Sequence, residues 1–107
     1  MKNTGKLAVM GDYTMKEGSV VIHPNDGFDL GLMTTDYPVY IYTNTSIDDF
    51  KAGNGNKIGG SISLKNECRV GTVEINLKVW ENMGKPKYVM LCYEDSKLLI
   101  AAPMNKK

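Results

Sequence analysis

The sequence predicts a mainly β fold: a small β-barrel or swapped-hairpin sheet with one short helix, built from two possibly related halves. Three observations predict it. Runs of β-branched and aromatic residues recur at short intervals and are bounded by glycine, proline, asparagine and aspartate. Helical spacing between good caps occurs in one clear segment, 77–83. The chain has 107 residues with 42 % hydrophobic and 23 % charged residues, enough for a single domain with one modest core.

Ser19-Val20-Val21-Ile22 is the first strand-like run, and the flank His23-Pro24-Asn25-Asp26-Gly27 reads as turn material. Tyr37 to Thr43 is the clearest strand of the first half, with Pro38 near its start or on an edge because proline cannot donate to a ladder. Ser46 can cap a helical turn over Ile47 to Ala52. Residues 53–60, Gly-Asn-Gly-Asn-Lys-Ile-Gly-Gly, read as a mobile connection between the halves.

Ile62 to Lys65 and Thr72 to Ile75 alternate apolar and polar, as strands with one wet face do. Asn76 caps a helix over Leu77 to Met83, and Gly84 stands where a left-handed terminator belongs. Tyr88 to Tyr93 reads as a buried strand, Glu94-Asp95-Ser96 as a tight turn and Lys97 to Ala102 as the return strand. Pro103 stops it before a frayed Lys106-Lys107 tail.

The halves echo each other over about 16–45 and 69–102. Gly18-Ser19-Val20-Val21-Ile22 matches Gly71-Thr72-Val73-Glu74-Ile75, each first glycine is followed thirteen residues later by Gly31 or Gly84, and tyrosine-led strands begin at Tyr37 and Tyr88.

No apolar run reaches signal-peptide length or the roughly 20 residues of a membrane span, so a cytoplasmic bacterial or phage protein with no membrane partner is expected. Cys68 and Cys92 are expected to be buried, reduced thiols. The net charge of +1 is unevenly spread: residues 1–50 hold three lysines against seven acids, and residues 51–107 hold ten cations against five acids. A basic second half suits an anionic partner.

No catalytic residues, metal ligands or cofactor are assigned. His23 is the only histidine, no Gly-x-Ser-x-Gly surrounds a serine, and the glycines at 53, 55, 59 and 60 miss the dinucleotide spacing.

The unit Arg69-Val70-Gly71-Thr72-Val73-Glu74-Ile75-Asn76, followed by Leu77 to Gly84 and Tyr88 to Ile100, resembles the AbrB-like (SpoVT/AbrB) swapped-hairpin DNA-binding domain over about residues 61–103. Gly71, Val73, Ile75, Met83 and Gly84 fall on the family's marked positions. Thr72 stands where the family carries arginine, and Asn76 where it carries proline. The resemblance implies a non-catalytic transcription regulator, a homodimer or higher homo-oligomer completed through strand edges, binding duplex DNA. Arg69 would then offer the one bidentate fork to a guanine edge, with Lys65, Lys78, Lys85 and Lys87 as phosphate contacts on the same rim. The alternative reading is a small binding or inhibitor protein that holds a protein or nucleotide-like ligand on Tyr37, Tyr40 and Tyr42.

Overall fold

The computed structural model describes residues 1–102, so the expected stop at Pro103 and the lysine tail lie outside the described residues. The elements run β1 Lys2–Asn3, β2 Leu7–Asp12, β3 Ser19–Ile22, α1 Pro24–Asp29, β4 Asp36–Thr43 and α2 Ile47–Ala52. They continue with β5 Lys57–Leu64, β6 Thr72–Asn76, α3 Leu77–Asn82, β7 Tyr88–Glu94 and β8 Lys97–Ala101. Seven strands close a barrel in the order β7-β2-β6-β3-β5-β4-β8, with β8 pairing back onto β7. The barrel closes within one chain, so the expectation of a homodimer loses its premise of unpaired strand edges.

β1 extends β2 along the same edge of β7. Lys2 stands opposite Tyr93 and Asn3 opposite Cys92, then Leu7 opposite Val89. The intervening residues bulge. Thr4 N donates to Leu91 O at 2.9 Å, and the buried Thr4 hydroxyl accepts from Leu91 N at 3.1 Å, so the ladder loses no partner across the bulge.

Alternation sorts the side chains into two apolar clusters. Inside the barrel lie Leu7, Val20, Ile22, Val39, Ile41, Ile62, Leu64, Val73, Ile75, Val89, Leu91, Leu98 and Ile100, joined by Leu30 and Leu32. On the outer face of β4, β8 and β7 a smaller cluster forms from Tyr42, Cys92 and Leu99 under Phe50 of α2. Ser46 accepts from Asp49 N at 3.1 Å to start α2, and Gly53 ends it at φ 80°. Lys97 Nζ donates at 3.1 Å to the Phe50 carbonyl, which also accepts from Gly53 N at 3.0 Å, a cation at the negative helix end.

The two expected halves take equivalent places in the barrel. β2 runs parallel to β6, and β3 parallel to β5. Gly71 O accepts from Ala8 N at 2.9 Å, and its counterpart Gly18 O accepts from Ser61 N at 2.8 Å. A helix follows β3 as one follows β6. The fourth residue of each helix faces the strand that pairs with the preceding one, with sizes exchanged. Gly27 of α1 packs on Leu64, whereas Trp80 of α3 packs on Gly11.

The tyrosine part of the echo slips by one residue. Tyr88 stands opposite Ala8, and the residue opposite Ser61, the counterpart of Ala8, is Pro38. Tyr37 therefore turns toward the core and Tyr88 outward, since a shift of one exchanges the faces.

Two further expectations are corrected, and two strands form that the local sequence does not announce. Among the described residues there are three short helices, because His23-Pro24 opens α1 instead of a turn: His23 Nδ1 accepts from Asn25 N at 2.9 Å and Pro24 sits at the first helical position. Residues 57–60 belong to β5, so the Gly/Asn-rich connection shrinks to its first half. β1 and β2, which carry only a short apolar run, are strands because β6 and β7 supply partners for them.

Candidate nucleic-acid interface

β6 divides the expected cationic set. Lys65 and Arg69 lie in the connection that enters β6; Lys78, Lys85 and Lys87 lie on α3 and the loop after it, where β6 has ended. All five are exposed. Five strand residues put Lys78 roughly 15 Å from the Arg69 end of β6, whereas Lys87, whose carbonyl accepts from Val9 N, stands level with Val73 near the start of β6, two strands away.

The α3 group is built rigidly. Asn76 Oδ1 accepts from Lys78 N at 2.8 Å and Val79 N at 3.1 Å, while its Nδ2 donates to Met15 O at 2.6 Å. Trp80 Nε1 donates to Pro86 O at 2.7 Å, fastening the loop that carries Lys85 and Lys87. Gly84 at φ 88° and Lys85 at φ 56° reverse the chain there. Lys87 O accepts from Val9 N at 3.0 Å, bringing the loop against β2.

The structure adds a lysine that the sequence reading left out. Lys6 Nζ sits 4.9 Å from the centroid of the Tyr88 ring, a cation–π contact. Lys6 enters the group only through the β2–β7 pairing, and no local sequence signal marks it. Among the described residues the single ion pair joins the Met1 amino group to Glu94 at 3.8 Å. Lys6, Lys78, Lys85 and Lys87 thus have no carboxylate within ion-pairing distance among the described residues.

The opposite end has a different character. Asp26, buried in α1, accepts from Gly71 N at 2.8 Å and ties α1 to the loop carrying Arg69. Glu67 lies between Lys65 and Arg69 in sequence, and Arg69 has no ion-pair partner among the described residues.

The three tyrosines of the alternative reading do not converge. The Tyr37 hydroxyl accepts from Met33 N and Thr34 N, closing the α1–β4 loop. The Thr34 side chain and backbone, with Met33 N–H, hold that phenol below its ordinary pKa. Tyr40 and Tyr42 share the outer face of β4, but Tyr42 is 1 % exposed beneath Phe50, with ring centroids 5.2 Å apart and nearly perpendicular. Tyr40 is 54 % exposed, with Lys57 Nζ 5.4 Å above its ring.

The thiols are unlinked and buried. Burial first, then the negative charges of Glu74 and Asp26, push Cys68 up to about 11; burial pushes Cys92 up as well. Neither is poised as a nucleophile at neutral pH. Among the described residues no three His, Cys, Asp or Glu side chains gather as metal ligands, and no helix is long and apolar enough to cross a membrane. A shallow cavity of about 270 Å³ opens at the barrel mouth beside α3, lined by Glu17, Ile41, Thr43, Asn56, Ile58, Val79 and Asn82.

Comparison with protein-family models, curated proteins and solved structures finds no match to this chain.

Proposed function

We propose that this protein is a non-catalytic nucleic-acid-binding module that holds phosphates through Lys6, Lys78, Lys85 and Lys87. The observation that carries the reading is a run of exposed ammonium groups along β2 and its neighbours: Lys6 before β2 at the Tyr88 ring, Lys85 and Lys87 on the loop bonded to Val9, and Lys78 on α3, with no carboxylate in ion-pairing distance among the described residues. Lysine is a flexible point charge, so such a set positions a backbone and reads little sequence. α3 has only six residues and its exposed positions carry Lys78, Glu81 and Asn82. The role of transcription regulator, implied by the resemblance to AbrB-like domains, therefore needs a source of sequence preference outside this lysine set.

The test is binding of fluorescein-labelled random-sequence DNA, as duplex and as single strand, across a salt series. Each phosphate contact contributes about −0.7 to −0.9 to the slope of log K against log salt. Replacing Lys78, Lys85 and Lys87 together by glutamine should lower that slope by roughly two to three. Replacing Lys65 and Arg69, in the connection before β6, should leave it unchanged. No binding of either form at low salt, or an unchanged slope in the triple variant, would overturn the proposal.

A further inference from the structure

The lysine group adjoins a stripe of exposed apolar side chains on one strand face. Tyr88, Met10 and Tyr13 are 46 %, 56 % and 78 % exposed. Tyr88 stands opposite Ala8. Met10 is two residues further along β2 on the same outer face, roughly 7 Å on, and Tyr13 follows just past the strand end. Exposed apolar groups in a row call for an occupant. The outer face of β4, β8 and β7 carries Phe50 of α2, whereas α3 meets β2 at Gly11 and leaves Met10 and Tyr13 exposed.

Resting on the reading above, we propose that the nucleic acid is single-stranded and runs along the β2–β7 edge, with a base stacked on Tyr88 and further contacts to Met10 and Tyr13. A duplex hides its base faces inside the stack and could use only the lysines. A single strand offers both a charged backbone and flat apolar faces, which is the pairing of groups this edge presents. Lys6 marks the geometry: its ammonium lies over the Tyr88 ring, and a base taking that place moves the cation toward the adjoining phosphate. Two acids bound the path. Glu74 of β6 stands beside Met10 and keeps the strand off β6. The Asp12 carboxylate, next after Met10 on that face, accepts from Thr14 backbone N at 2.8 Å and its hydroxyl at 2.6 Å, bonds that favour its charged form and keep the strand on the β7 side of it.

The experiment compares a labelled oligothymidylate with a blunt duplex of equal length at one salt concentration. The proteins are wild type, Tyr88→Phe, Tyr88→Ala, Tyr13→Ala and the triple lysine variant. The single strand should bind at least tenfold more tightly than the duplex. Tyr88→Ala should weaken single-strand binding about tenfold or more while changing duplex binding little, and Tyr88→Phe, which keeps the ring, should bind as wild type does. Tyr13→Ala should show a smaller loss of the same kind. Equal or tighter duplex binding, or unchanged single-strand affinity in Tyr88→Ala, overturns this inference and leaves the phosphate-binding proposal standing. Loss of all binding in the wild type removes both. Circular dichroism on each variant confirms that Tyr88→Ala retains the fold; if it does not, the Tyr13→Ala comparison decides.

Discussion

Gly18, just before β3, and Gly60 of β5 approach each other backbone to backbone, and this makes a sharp prediction. A Cβ built on Gly60 would lie 2.0 Å from Gly18 O and 2.7 Å from Gly18 Cα. The obstacle is backbone on both sides, so no side-chain rotation relieves it. β3 must move away from β5, which strains the Ser61 N to Gly18 O bond of 2.8 Å. Forcing extra volume into packed structure costs about 1–3 kcal/mol when side chains can adjust. Here they cannot, and a hydrogen bond worth about 1 kcal/mol is weakened as well. Gly60→Ala should therefore destabilise by about 3–4 kcal/mol.

Gly59→Ala is the control. Its Cβ meets nothing within 4 Å and its φ is not positive. Alanine there lowers the entropy of the unfolded chain and should stabilise by up to about 1 kcal/mol. For a domain of about 100 residues 1 kcal/mol moves Tm by roughly 4 °C or more. Thermal melts followed by far-UV circular dichroism, with urea titrations for ΔG, should place Gly60→Ala at least about 12 °C below wild type and Gly59→Ala at or above it. If the two alanine variants agreed within about 1 kcal/mol, the close approach of β3 and β5 would be refuted.

Two further outcomes follow from the packing and the charges. Cys68 has a folded pKa of about 11 against an ordinary 9.0, so its neutral thiol stabilises the fold fully below about pH 9, and that contribution fades as pH rises to 11. Urea titrations should show the stability gap between wild type and Cys68→Ala constant up to pH 9 and narrowing by roughly 2 kcal/mol by pH 11; a flat gap would remove the assigned shift. For the second, a Cβ on Gly27 would lie 2.7 Å from Leu64 Cδ2, so Gly27→Ala should cost about 1–3 kcal/mol in wild type and much less in a Leu64→Ala background. A double-mutant cycle with a coupling energy below about 0.5 kcal/mol would show that the two do not share that contact.

Strand composition made much of the barrel legible, and caps made two of the helices legible. Tyr37 to Thr43, Thr72 to Ile75, Tyr88 to Tyr93 and Lys97 to Ala101 carry enough β-branched and aromatic residues to be read locally, and Ser46 and Asn76 announce α2 and α3. What was missed depends on partners distant in sequence. Gly59 and Gly60 look like a hinge because glycine is permissive. In the fold Gly60 is a strand residue required by the approach of Gly18, a contact between segments 42 residues apart in sequence. His23-Pro24 has both turn and helix-start chemistry, and the helix forms because Asp26 can reach Gly71 N across the barrel end. The cationic residues were legible as types, but their placement was not: the β2–β7 pairing brings Lys6 to the ring of Tyr88, beside Lys87, which no linear pattern predicts.

The two units share a barrel plan and differ where a partner could act. In the first unit the helix is drawn inward: Gly27 admits Leu64, and Asp26 is consumed by a backbone contact. In the second unit Trp80 fills the same place against Gly11, and its Nε1 holds the following loop at Pro86. That exchange of sizes anchors the loop bearing Lys85 and Lys87 to the barrel through a half-buried ring, so these lysines ride on a fixed support. The one-residue slip of the tyrosine strands has a matching effect. It turns Tyr37 to the core, where it closes a loop, and Tyr88 to the surface beside Lys6. Both departures from symmetry change the second unit beside β2, where the interface proposed above would draw on the anchored lysines and on the exposed ring of Tyr88.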